Sequence, residues 1–214
     1  MWHYTSRGKT SEVYVNVDEG YAIKQFRGYN DHKKNQRTLK GRDTRENCFL
    51  RELECLRRLQ GYEHFPQLLK HDREKLWIKM SYCGTPYPCK PPRQHRPDLI
   101  DQANRIVDSL AEVDVKYNYW QVTKIEGVGY KHLQAGNVNL LDDKLYLIDF
   151  EKAWPVGYET DLPLPDYFKT KYTKQEFKTL FKAFLVPTGD RINDLAFANL
   201  GNKLHFARKH KKGK

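Results

Sequence analysis

Asn137-Val-Asn-Leu-Leu-Asp-Asp-Lys-Leu-Tyr-Leu-Ile-Asp149-Phe150-Glu151 reads as a β-hairpin with an amide at one end and a carboxylate at the other. Val138 to Leu141 and Leu145 to Ile148 are short apolar runs, and Asp142-Asp143 between them is a turn signal. Antiparallel folding about that turn brings Asn137 and Asp149 to the same end. Two side-chain oxygens so placed suit a magnesium ion, which takes oxygen ligands.

Upstream, other segments carry chemistry in an ordered series. Ser6-Arg-Gly8-Lys-Thr-Ser11-Glu-Val13-Tyr14 is a glycine-containing stretch before the strand-like Tyr21-Ala22-Ile-Lys24. In Phe49 to Leu59, apolar residues at Phe49, Leu53, Leu56 and Leu59 give a helical period with one buried face, on a segment that also carries Glu52. Gly61-Tyr-Glu-His64-Phe65-Pro66 connects that helix to another strand. Leu76-Trp-Ile-Lys-Met80-Ser-Tyr82-Cys-Gly84 reads as a further strand and a link.

In this order the segments resemble the protein-kinase-like superfamily, over Ser6 to Glu151 or about two thirds of the chain. The short strand spacing is closest to the small atypical kinases of the RIO and Bud type and to short kinase-like proteins of bacteria and their phages. The resemblance implies an α+β, bilobal protein-kinase-like fold with a reduced C-terminal lobe, and ATP and Mg2+ as cofactors. It also implies residue roles. Lys24 would reach the α/β-phosphates and Glu52 would hold it. Asn137 and Asp149 would bind the metal, as the loop asparagine and DFG aspartate do in kinases. Gly8 and Ser11 would lie over the phosphates, at the second and third glycine positions of GxGxxGxV, with serine also at the first; two of the three glycines are replaced. Val13 would roof the adenine, Ala22 would be the small cofactor-binding residue before the strand lysine, Met80 would be the gatekeeper, and the backbone of Ser81 to Cys83, through Tyr82, would face the base.

The catalytic loop departs from the family. Kinases place an aspartate five residues before the asparagine, whereas counting back from Asn137 lands on His132, and Tyr130-Lys-His132-Leu-Gln134-Ala-Gly-Asn137 contains no aspartate. A second register pairs Gln134 with the family's aspartate and Asn139 with its asparagine. Asn139 would then sit mid-strand among apolar neighbours, which favours the first register. An imidazole with an ordinary pKa of about 6.5 is a competent base near neutrality, and such a base contributes about 10²–10⁴-fold. Phosphotransfer with His132 as base, a catalytically inactive pseudokinase scaffold, nucleotidyl transfer, and a basic nucleic-acid- or ribosome-associated protein on a kinase-like platform all remain open on the sequence.

Composition fits a globular chain: 214 residues, 39% hydrophobic and 30% charged. No apolar run reaches the ~20 residues of a membrane span, and no apolar segment follows Met1 as in a signal peptide, so a cytoplasmic location is expected. Cys48, Cys55, Cys83 and Cys89 lack paired spacing, which favours free thiols over disulfides or zinc. The expected organisation is an N-lobe over 1–84, an antiparallel sheet with one helix. A proline-rich connector at 85–97, a reduced C-lobe over 98–202 and a basic tail at 203–214 follow. A helix is expected from Leu99 to Ala111, another over Tyr172 to Leu185, and a third in Arg191 to Ala207. Net charge is +11, concentrated in 31–45 and 203–214. That charge suits a phosphate-rich partner, an acceptor protein or RNA, although solvated basic ends are as common without one.

Overall fold

The computed structural model describes residues 2–7, 11–27, 44–87, 96–117, 120–121, 132–133, 137–158 and 173–186. Among them the chain is mixed α+β, with antiparallel sheets and three helices.

Strands β1 (Trp2–Arg7), β2 (Ser11–Asn16) and β3 (Tyr21–Phe26) form a meander. Helix α1 (Arg45–Arg58) follows, then β4 (Leu68–Asp72) and β5 (Trp77–Ser81), which complete a sheet of order β1-β2-β3-β5-β4. The β2–β3 turn closes through the Gly20 amide on the Val17 carbonyl at 3.1 Å, and Asn16 Oδ1 accepts from the Glu19 amide at 3.2 Å. On β3, Ala22, Lys24 and Phe26 share the buried face, so the strand's period of two points a lysine inward.

Helix α1 begins where Thr44, in extended geometry, accepts from the Asn47 amide at 3.1 Å, with Glu46 in the first turn and Arg57 and Arg58 in the last. Those charges complement the helix dipole. Arg45, at the edge of the basic stretch in the sequence, is thus helical. Cys48, Phe49, Leu53, Leu56 and Leu59 are buried beside Phe26 and Ile78 of the sheet, and the Phe26 and Phe49 rings meet edge to face at 5.7 Å.

Beyond Gly84 the chain forms β6 (Thr85–Pro86), a 3-10 turn (Pro97–Leu99), α2 (Ile100–Glu112) and β7 (Val115–Lys116). Then come β8 (Trp120–Gln121), β9 (His132–Leu133), β10 (Val138–Leu141) and β11 (Lys144–Leu147). Strand β12 (Trp154–Pro155) and α3 (Lys174–Leu185) complete the order. The expected hairpin is β10–β11, with Val138 opposite Leu147, and its two turn residues Asp142 and Asp143 have φ of 48° and 59°. Positive φ at both centres is the turn geometry that matches strand twist. Pro86 lies in β6, at the edge of the sheet β11-β10-β6, where a missing N–H costs no ladder bond. Leu99, Ile106, Val107 and Leu110 of this region pack with Phe177, Phe181 and Phe184 of α3. The segment 191–207 lies outside the described residues, as does Cys89; Cys48, Cys55 and Cys83 are buried free thiols. No helix among the described residues is long and apolar enough to cross a membrane.

Candidate functional site

A cleft of about 600 Å3 lies between the five-stranded sheet and the β10–β11 hairpin. The sheet contributes Ser11, Val13, Ala22, Lys24 and Met80, α1 contributes Glu52, and the link after β5 contributes Tyr82, Cys83 and Gly84. Asn137, Asn139, Ile148 and Asp149 come from the hairpin side. Ala22 and Met80, paired across β3 and β5, form an apolar wall, and the charged groups gather about Lys24, which pairs with Val13 of β2.

Lys24 is the centre of those charges. Its Nζ donates to Glu52 Oε2 at 2.5 Å and to Asp149 Oδ1 at 2.6 Å, and Glu151 Oε2 stands 3.4 Å away. Lys24 and Glu52 are 5% and 1% exposed, whereas the Asp149 side chain is 28% exposed and opens to the cleft. Burial alone would depress the ammonium, but Asp149, Glu52 and Glu151 together raise its pKa well above the usual lysine value. Glu52 is pushed up to about 7, by burial first and by the neighbouring Asp149 and Glu151 charges, against the pull of Lys24. The crowding of three carboxylates about one buried lysine contributes to both shifts, adding to burial at Glu52 and outweighing it at Lys24.

Local folding sets these positions. Asp149 follows β11 with φ 67°, a left-handed conformation that aspartate tolerates better than most non-glycine residues, and Phe150 after it is buried. The Phe150 ring packs at 5.3 Å from Tyr117 and 6.1 Å from Phe65. Asn137 immediately precedes β10 and its carbonyl accepts from the Ile148 amide at 3.0 Å, so Asn137 and Asp149 are brought to one end of the hairpin. Asn137 is buried, and its Nδ2 has no hydrogen-bond partner among the described residues. That nitrogen is a donor and plays no part in holding a cation; the Asn137 amide oxygen and the Asp149 carboxylate are the kind of oxygen ligand a hard divalent cation takes. Glu52, Asp149 and Glu151 also lie close enough together to hold a cation.

Of the residues singled out from the sequence, Ser11, Val13, Ala22, Lys24, Glu52, Met80, Tyr82, Asn137 and Asp149 all line this cleft. Gly8 lies outside the described residues. His132 is in β9, paired with Gln121, and its side chain is outside the described part. Basic residues 31–43 and the tail 203–214 are also outside it. Two functional neighbours carried no sequence signal strong enough to name them. Arg51, fully buried, donates through Nε to the Glu151 carbonyl at 2.8 Å, and Glu151 places its carboxylate behind Lys24. The adjacency of Glu151 to Asp149-Phe150, and of Arg51 to Glu52, was the available clue. Compared with known proteins, the chain matches no family model, and the search of curated proteins finds no match.

Proposed function

We propose that the protein binds Mg-ATP in this cleft and transfers the γ-phosphoryl group to an acceptor hydroxyl, on a bilobal protein-kinase-like fold. The five-stranded sheet with α1 is the N-lobe in this reading, and the hairpin with α2 and α3 is the reduced C-lobe. What carries the reading is the buried Lys24 held by Glu52 on α1 and touching Asp149 at the mouth of a nucleotide-sized cavity.

The apolar side chains of Val13, Ala22 and Met80 accommodate the base, and the backbone of Ser81 to Cys83 faces its edge. Lys24, released from Asp149, turns to the α/β-phosphates while Glu52 keeps it extended. Gly8 and Ser11 cover the phosphates. Asn137 and Asp149 are the residues that would hold magnesium, which neutralises phosphate charge when bound. In the transfer, the acceptor oxygen forms a bond to the γ-phosphorus as the bond to the bridging oxygen breaks and ADP leaves. His132 takes the hydroxyl proton. The acceptor is a protein or a phosphate-rich molecule, drawn by the basic stretches 31–45 and 203–214.

Thermal unfolding with ATP, with and without magnesium, tests the reading. A magnesium-dependent rise in Tm, lost in Asp149→Ala, is expected; no shift with ATP under either condition would remove it. Transfer from γ-labelled ATP separates a phosphotransferase from a nucleotide-binding scaffold, and label carried only from α-labelled ATP would indicate nucleotidyl transfer.

A further inference from the structure

Asn139 has no assigned part in the cleft, yet its side chain is fixed there. It is 8% exposed, lines the cavity, and donates through Nδ2 to the Gly84 carbonyl at 3.0 Å. A carbonyl can only accept, so the amide nitrogen must face Gly84, and this decides which end of the amide is which. Oδ1 is thereby turned away from Gly84; it has no hydrogen-bond partner among the described residues and is itself covered, so a donor reaches it only by displacing what lies over it. Gly84 cannot drift off to relax the arrangement. Its φ is +79°, and it sits so close over β10 that a Cβ there would overlap the Leu140 carbonyl.

Position along β10 separates Asn139 from the charged end of the cleft. It pairs with Tyr146 and Pro86, two residues past Asn137, or about 7 Å at the ordinary strand rise. Asn137 adjoins Ile148 and Asp149, whereas Asn139 adjoins Gly84, Thr85 and Pro86. An acceptor there serves the nucleoside end of a bound nucleotide rather than the metal. Folds retain few buried acceptors without a donor, and a site built around a hydrogen bond rejects the analogue that lacks it.

We infer that Asn139 is a specificity-determining residue of the cleft, its Oδ1 accepting a hydrogen bond from an N–H or O–H donor on the nucleoside part of the bound nucleotide. This rests on the nucleotide-binding reading above. The donor is either an exocyclic amine of the base or a ribose hydroxyl, and the ligand series tells them apart.

The test is calorimetric titration of the full chain, in magnesium, with ATP, 2′-deoxy-ATP, 3′-deoxy-ATP and purine riboside triphosphate, which lacks the 6-amino group. Asn139→Leu removes the oxygen, and Asn139→Ser withdraws it while leaving a small polar side chain, in case the leucine variant does not fold. The expected result is that the variant binds ATP about tenfold more weakly, the scale of one buried hydrogen bond. The wild type should discriminate against one analogue by a similar factor, and that discrimination should vanish in the variant, because the two losses are one interaction. Equal weakening of all four ligands would mean Asn139 acts only by supporting Gly84, and unchanged affinities would mean water satisfies Oδ1; either overturns the inference while leaving nucleotide binding intact. Failure of the wild type to bind any of the four would instead overturn the nucleotide reading, and this inference with it.

Discussion

Lys24 is a structural counter-ion, and the role proposed for it in the cleft would come on top of that. Its ammonium balances part of a buried cluster of three carboxylates, Glu52, Asp149 and Glu151. Removing one partner of a buried charge pair typically costs about 3–5 kcal/mol, so Lys24→Met should destabilise the chain on that scale near pH 8 in urea unfolding. The loss should shrink toward pH 5, where the stranded carboxylates take up protons. Asp149→Ala is the opposite case. It removes one charge from an over-supplied cluster but leaves a Cβ at the positive φ, so the apo protein should lose about 1 kcal/mol while magnesium-dependent stabilisation by ATP disappears. Glu52 sets a further pH signature. Its carboxyl titrates near 4.5 when unfolded and about 7 when folded, so the folded state holds more protons between these values. Its contribution to stability is therefore full below pH 4.5 and is lost as pH rises through 7. Glu52→Gln should flatten that fall in Tm across the same window; an unchanged slope would assign it to other groups.

At the scale of elements, the close seating of the link after β5 on β10 is the most exacting feature. Gly84→Ala would place a methyl group against the Leu140 carbonyl and force a strained φ, so a loss of more than about 2 kcal/mol is expected. Gly157→Ala has a similar φ, +71°, but open space around the added carbon, and should cost only about 1 kcal/mol. Comparing the two by urea unfolding isolates the close approach from the backbone conformation. Much of this architecture was legible in the sequence. The hairpin follows from two apolar runs about Asp142-Asp143 and α1 from a helical apolar face, whereas Lys24 was singled out only by the resemblance of Tyr21 to Lys24 to a kinase strand, since Tyr21, Ala22 and Ile23 show no alternation. Arg51 was not, because in an arginine-rich helix it resembles a solvated charge, and its burial depends on a carbonyl a hundred residues later in the chain. Nor was the inward turn of Glu151, since the φ of Asp149 redirects the chain there and no apolar period encodes it.

At the scale of the molecule, the cleft walls are joined behind the cavity as well as through the link at Gly84. The Leu147 amide of β11 donates to the His64 carbonyl at 2.9 Å, and the Arg51 guanidinium on α1 reaches the Glu151 carbonyl. Arg58, also on α1, donates to the Val156 carbonyl at 2.8 Å. The Phe65 and Phe150 rings meet across the same seam at 6.1 Å, so Phe150→Ala should cost about 3–5 kcal/mol and reduce cooperativity between the two sides. A single sharp unfolding transition in that variant, at the wild-type midpoint, would show that the seam carries no such weight. These ties have a kinetic consequence. A cleft fastened along its back exchanges its inner amides only when the fastening lets go, so the Leu147 amide should report, in native-state hydrogen exchange, the rate at which the two walls part. If it exchanges with the slowest amides of β3 and β5, the walls separate only on global unfolding, and ligands enter through the open front of a preorganised site.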